Sequence, residues 1–458
     1  MKKIVLTLTA ALVFGWQGMS FAGSSVDALI QKLEDKGILT NQDAIQLKGE
    51  IASNEQNSQQ ATFKTLLPDW LNTIKFTGDF RLRDQWQERD IANGTTVQKL
   101  DRNRGRLRAR LNFEDQINDK VKIVVGIATD GGSGRSNNVT FGGNNSDAGL
   151  TSGNSTLGSF DKPNIVLHKA YATYTPNQYV TLIGGKMDNP IWEPVSPGLL
   201  WDPNITPEGG AIKLEKKLND YITPFSMNAF FVLKDQSPDT SSVKTKTDPY
   251  MFVSQEGIKG NLTDKVYYKA AGWYYGVSNP NHWPLDNGNG INTLSSTPGL
   301  TTTYSYNFNL VGGAVDLGIN DPFGELLPSP IYIPQIGVFG QYFKNLDPSK
   351  QNVAWMGGVY VGSSAINGWG TWKLTSYYKV LQRDSWLDAL PDADFYSGDT
   401  NVEGWRNALE VGLAKNVWFT LAWFHTQVYK DISTLAASTG MQGRSPENLF
   451  QMDLNFKF

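Results

Sequence analysis

The sequence predicts an all-β protein, a transmembrane antiparallel β-barrel of about 16 strands with a short N-terminal helical segment ahead of it. Three observations carry this. From Asn72 onward apolar and polar residues alternate with period two. Tight polar turns alternate with long loops rich in Gly, Ser, Asn and Thr. The final segment alternates in the same way up to a terminal Phe458.

Composition narrows the choice to barrels. The chain has 458 residues, 12% of them aromatic, with 45 glycines and no cysteine. Without cysteine there is neither a disulfide framework nor a haem-attachment motif. A net charge of −3 does not point to a nucleic-acid partner. After residue 22 no apolar run is long enough for a membrane helix, whereas a barrel hides its apolar content in alternate positions.

At the N-terminus, Lys2 and Lys3 precede an apolar run from Ile4 to about Trp16, and Ser20-Phe21-Ala22 follows. Residues 1–22 are therefore expected to be a cleavable secretory signal. Residues 23–60 form the helical segment and its linker: Val26, Leu29, Ile30 and Leu33 recur at helical spacing, as do Ala44, Ile45, Leu47 and Ile51. Residues 61–458 are the barrel.

In the first barrel strand Ile74, Phe76, Gly78, Phe80 and Leu82 share one face, and Lys75, Thr77, Asp79, Arg81 and Arg83 the other. In the second, Gly105, Leu107, Ala109, Leu111 and Phe113 alternate with Arg102, Arg104, Arg106, Arg108 and Arg110. Turns are expected at Asn118-Asp119, Pro176-Asn177, Asn219-Asp220, Thr263-Asp264 and Lys415-Asn416. Strands then fall near 73–86, 102–115, 120–130, 164–175, 179–187, 210–218, 222–234, 250–262, 265–277, 304–318, 331–345, 352–363, 369–383, 402–415, 417–429 and 447–458. An even number suits closure. In the last strand Phe450, Met452, Leu454, Phe456 and Phe458 share one face, resembling the C-terminal signal by which outer-membrane barrels are inserted. The barrel-assembly machinery and outer-membrane lipid are the partners this implies.

Three stretches resemble the "putative porin" family of Gram-negative outer-membrane proteins: VDALIQKLEDKGILT at Val26–Thr40, IKFTGDFRLR at Ile74–Arg83, and GGKMDNPIW with LWDPNITPEGG between Gly184 and Gly210. The resemblance implies a diffusion channel for small hydrophilic solutes or ions in the outer membrane, and often a homotrimer. It leaves the solute open.

Parity then supplies the candidate site. Arg81, Arg83, Arg102, Arg104, Arg106, Arg108 and Arg110 oppose the apolar set, and turning such a residue into lipid would cost about 2–4 kcal/mol near the bilayer midplane. They form a basic ladder that either filters anions or stiffens the wall by pairing with carboxylates. Opposite them is expected an inward-folded constriction loop at 188–209, implied by the resemblance and carrying Asp188, Trp192, Glu193, Trp201, Asp202 and Glu208 among five prolines. The other reading of this loop is an external cap. Tyr174, Tyr179, Trp369, Trp372, Trp418 and Trp423 suit interfacial girdles.

His168, His282 and His425 fall on separate segments with no nucleophile turn, so no enzyme and no cofactor is expected. Asp388, Asp392, Asp394 and Asp399 read as a solvated loop rather than a metal site. The alternative function is a barrel that sheathes or docks a partner such as an electron-transfer protein.

Overall fold

The computed structural model describes residues 74–93, 96–142, 162–235, 248–280, 291–295, 303–326, 332–430 and 445–458. The expected signal and helical segments lie outside the described residues. Sixteen strands form one closed antiparallel barrel among the described residues. They are β1 Lys75–Asn93, β2 Thr96–Asn118, β3 Val121–Thr129, β4 Ile165–Asn177, β5 Val180–Lys186, β6 Glu208–Glu215, β7 Thr223–Val232 and β8 Tyr250–Asn261. The second half holds β9 Val266–Ser278, β10 Phe308–Asn320, β11 Gln335–Asn345, β12 Val353–Gly362, β13 Trp372–Leu381, β14 Val402–Ala414, β15 Val417–Val428 and β16 Glu447–Lys457. Each strand pairs with its sequence neighbours, and β1 closes the cylinder by pairing with β16 from Asp79↔Lys457 to Arg89↔Glu447. Closure leaves no edge strand to hydrogen-bond elsewhere.

The tight turns form where expected, and their side chains show why. The Asn118 carboxamide oxygen accepts from the amides of Lys120 and Val121, and Asn219 does the same for Tyr221 and Ile222. Thr263 closes its turn through its hydroxyl. Short polar side chains that bond the backbone two or three residues on specify such turns.

Parity places Phe76, Leu82, Ile123, Val125, Phe252, Val338 and Leu421 on the exposed outer face. The inner face divides into two halves. Arg83, Gln85, Gln87 and Arg89 of β1 are buried there with Arg104 and Arg106 of β2 and with Glu447, Gln451 and Asp453 of β16. From β7 to β13 the buried inner residues are mostly apolar, among them Met227, Phe231, Met251, Val253, Trp273, Tyr275, Phe343 and Tyr377. A uniformly polar inner face is therefore not what the structure has. The apolar half is covered by two loops, 187–207 and 382–401, whose Leu199, Leu200, Trp386 and Leu387 are fully buried. Each such side chain contributes about 1.5–3 kcal/mol.

Candidate functional site

The basic ladder sits on the inner face of β1 and β2. Register sets Arg81 opposite Arg108 and Arg83 opposite Arg106, arrangements that like-charge repulsion alone would disfavour. Carboxylates relieve it. Asp79 accepts from Arg108 at 2.8 Å and from Arg110 at 2.7 Å. Asp453 of β16 accepts from Arg83 at 2.7 and 2.9 Å and from Arg81 at 3.4 Å. Arg106 donates instead to the Asn138 carbonyl at 3.4 Å. Arg102 and Arg104 share this face by parity. Part of the ladder is thus an ion-pair network.

The ladder also reaches further than its sequence outline. β1 continues to Asn93, and Arg89 donates to Glu447 at 2.6 Å and to Ser397 at 2.8 Å, its guanidinium 4.1 Å above the Tyr396 ring. Sequence reasoning ended this strand at 86 and missed Arg89. The alternation Gln85, Gln87, Arg89 was the available signal.

Of the six candidate loop residues, four come together inside the barrel and two do not. Trp192 stacks on Trp273 of β9 at 5.9 Å, and its backbone N–H and carbonyl both bond the Gln255 side chain of β8. Glu193 accepts from the amides of Leu199 and Leu200 and from Gln341 of β11; burial raises its carboxyl above the ordinary range. Trp201 donates to the Tyr275 hydroxyl and packs edge-on against Phe231 and Trp386. Asp202 bonds the amides of Asn204 and Ala393. Asp188 and Glu208 lie instead at the strand ends, more exposed and paired with Lys169 at 2.8 Å and Lys186 at 2.7 Å. The loop is shorter than expected because β6 begins at Glu208. Tyr377 of β13 donates to the Pro197 carbonyl, and Arg108 of β2 reaches Asn204 at 3.5 Å. One loop thus touches inner residues of β2, β8, β9, β11 and β13.

The second loop, a solvated segment by its sequence, is buried in the structure. Asp388, Asp392 and Asp399 are buried, and Asp388 draws its partners from segments remote in sequence. Asp388 accepts from the Ile291 amide at 2.7 Å and the Tyr304 hydroxyl at 3.0 Å, and Asp384 from the Thr293 amide and hydroxyl. The two loops are stitched together: Trp386 donates to the Leu200 carbonyl, the Asp202 amide to the Leu390 carbonyl, and the Ala393 amide to the Asp202 carboxyl. Asp394 reaches Arg83 at 2.8 Å. The acid facing the ladder is therefore Asp394, not a residue of the first loop. Burial, with Asp392 beside it, pushes the Asp202 carboxyl up to about 8. Burial also raises Asp392, whereas for Asp394 the Arg83 guanidinium outweighs burial and holds the carboxyl well below the ordinary range. Among the described residues no acidic or histidine cluster could hold a metal.

The terminal strand presents Phe450, Met452, Leu454 and Phe456 outward, and Phe450 stacks with Trp86 and Trp423. Phe458, 59% exposed, exchanges backbone hydrogen bonds with Gly78. Tyr174, Tyr179, Trp369 and Trp423 are exposed, while Trp372 and Trp418 are half-buried. His168 and His425 stand on β4 and β15; His282 lies outside the described residues.

A closed antiparallel barrel with an apolar outer belt and a charged, ion-paired inner wall defines the class of β-barrel channel proteins. The chain belongs to the family described as "Putative porin", whose model matches residues 87–283 and 337–458. It is a channel protein of the bacterial outer membrane, and family and fold point to a channel rather than an enzyme. Among solved structures it is similar to the outer-membrane channel DcaP of Acinetobacter baumannii (14% identity, 84% of this chain, 97% of that one, TM-score 0.41). It is also similar to a loop-deletion mutant of OmpT of Vibrio cholerae (10%, 84%, 99%, 0.43) and to a mutant porin of Rhodopseudomonas blastica (9%, 84%, 100%, 0.38). No curated protein matches.

Proposed function

We propose that the chain is a diffusion channel for small hydrophilic solutes. Its passage is lined in part by the arginine wall, and the two loops that dock on the inner face act as the constriction. The observation that carries this reading is where buried polar atoms lack partners. Among the described residues such atoms stand on the inner face of β1, β15 and β16, at Arg81 Nε, Gln87 Oε1, Thr426 Oγ1, Glu447 Oε1 and Gln451 Nε2, and also on β9, β11, β13 and β14, at Trp273 Nε1, Gln341 Oε1, Lys379 Nζ and Arg406 Nε. Buried polar atoms without protein partners mark a site that water serves. The aromatic half is filled by the apolar loop side chains Leu199, Leu200, Trp386 and Leu387, which supports a route nearer the cationic wall.

Arg stays charged at any physiological pH, so anions are enriched along this wall to the extent that its acids do not neutralise it. Single-channel reversal potentials in a salt gradient test the reading. The wild type should favour anions, and neutralising Arg104, Arg106 and Arg108 should move the potential toward cation preference. Unchanged selectivity would leave the ladder a scaffold. Absence of conductance from the pure protein would sink the channel. The sheath alternative finds less support, because the aromatic half that could receive a partner is covered by the chain's own loops. Assembly as a homotrimer remains part of this proposal.

A further inference from the structure

Residues 193–196 of the first loop cover a cavity of about 490 Å³, whose other lining comes from inner residues of β9 to β14 near the short turns. Tyr267 of β9 and Tyr360 of β12 lie along its wall over Gly318 and Gly337. A Cβ added at either glycine would come within 2.1 Å of a phenol, so the missing side chains let the two rings meet. Gln335 donates to the Tyr267 hydroxyl, Tyr267 to Tyr360, and Tyr360 to Asp316 at 2.8 Å. Because Tyr360 gives its proton to the carboxylate, only this direction satisfies the pair of hydroxyls.

Around this wall stand charges that form no ion pairs among the described residues. Glu410 and Lys373 are opposite in register, yet Lys373 lies 5.0 Å over the Tyr360 ring instead of bonding Glu410. Its ammonium acts through space on Asp316. Glu410 has no hydrogen bond to any described residue. Arg406, on the same face of β14, holds its guanidinium over the rings of Tyr377 and Phe424, and its Nε is buried without a partner. Asp392 of the second loop senses that charge and forms no bond to it. One cavity therefore contains a cation and an anion, Arg406 and Glu410, that do not satisfy each other. A ligand with both charges complements them.

We propose that this cavity binds a short zwitterionic peptide, its carboxylate on Arg406 and its ammonium on Glu410. The two residues are four positions apart on β14, about 13 Å along the strand. An extended dipeptide spans about 7 Å, and the arginine and glutamate side chains cover the rest. A single amino acid carries both charges on one carbon and cannot reach both residues. The guanidinium fork takes a carboxylate through two parallel bonds. Midway between the charges stand Ala408 and Thr375, small residues that leave room for the peptide. The site is separate from the arginine wall of β1 and β2, so it depends neither on the route of the passage nor on its ion preference.

Titration calorimetry on the folded full-length protein in detergent tests this. Dialanine should bind. Its N-acetyl form, without the ammonium, its amide, without the carboxylate, and free alanine should each bind about ten-fold or more weakly, as the loss of one charge-assisted bond implies. Glu410→Gln should remove the preference for dialanine over the acetylated form and keep the preference over the amide; Arg406→Gln should do the reverse. Both variants must migrate as folded barrels on unheated gels. Glu410 has no bond to lose, so its variant decides the matter if Arg406→Gln does not fold. No binding of dialanine, equal affinity for its three forms, or unchanged preferences in Glu410→Gln would each overturn the inference. Binding is read without current, so a barrel that conducts and binds none of these probes fails this inference alone.

Discussion

Arg83 of the barrel wall donates to Asp394 of the loop 382–401 at 2.8 Å while keeping two bonds to Asp453 of the neighbouring strand. The same guanidinium therefore closes the wall on itself and ties the inner loop to it. Its planar fork suits this double duty in a way that a lysine would not.

Asp394→Asn should release the loop and leave the wall intact, since Asp453 still neutralises Arg83. We expect a stability loss of about 1–3 kcal/mol, the scale for an imperfectly satisfied buried group. Urea titration of the folded band would measure it. Single-channel traces should show more frequent sub-state transitions. Wild-type stability together with quiet traces would mean that the loop is held elsewhere.

The wall was legible in the sequence and the loop was not, for a physical reason. Leu82 and Arg83 must face lipid and interior respectively, so register is written locally as period two. The burial of Asp388 and Trp386 depends on Ile291, Tyr304 and Leu200, which lie far away in sequence and leave no local period. β1 was read too short because Gln85, Gln87 and Arg89 alternate with Trp86, Glu88 and Asp90, where apolar contrast fades. The aromatic inner face of β7 to β9 likewise becomes intelligible only once the loops that cover it are in place.

The loop junction should make stability depend on pH. Burial and Asp392 push Asp202 up to about 8, with Asp394 and Lys379 also facing the pair. In the unfolded chain this carboxyl titrates at about 4. Between those values the folded loops hold a proton that the unfolded chain has lost, so stability falls as pH rises from about 4 to about 8 and levels off above. Asp202→Asn should flatten that slope, matching the wild type near pH 4 and exceeding it at pH 9. Urea midpoints across the range would show it, and a slope that survives the substitution would assign it to other groups.

Trp192 is the anchor by which the first loop grips the far wall, through its stack on Trp273 and the Lys269 ammonium 4.4 Å from its ring. Trp192→Ala should cost less than the about 3–5 kcal/mol of a fully buried aromatic, because Trp192 is only half-buried. It should also raise single-channel conductance by widening the constriction. Both are read on the refolded protein in planar bilayers and by denaturant titration. Lost stability with unaltered conductance would place the passage away from this loop.

The closing seam offers the last test. Gly78 of β1 exchanges backbone hydrogen bonds with Phe458, at 2.8 Å and 3.1 Å, and a side chain there would come within 2.7 Å of the Phe458 ring. The Arg110 carbonyl lies closer still, so the strand itself would have to shift. Gly78→Val should therefore disturb the seam that completes the cylinder without touching the inner wall. We expect a smaller folded fraction on unheated gels from isolated outer membranes, while the molecules that do close should keep wild-type selectivity, because Arg83 and its partners are unaffected. If Gly78→Val assembles as well as the wild type, the terminal aromatic contact is dispensable for closure.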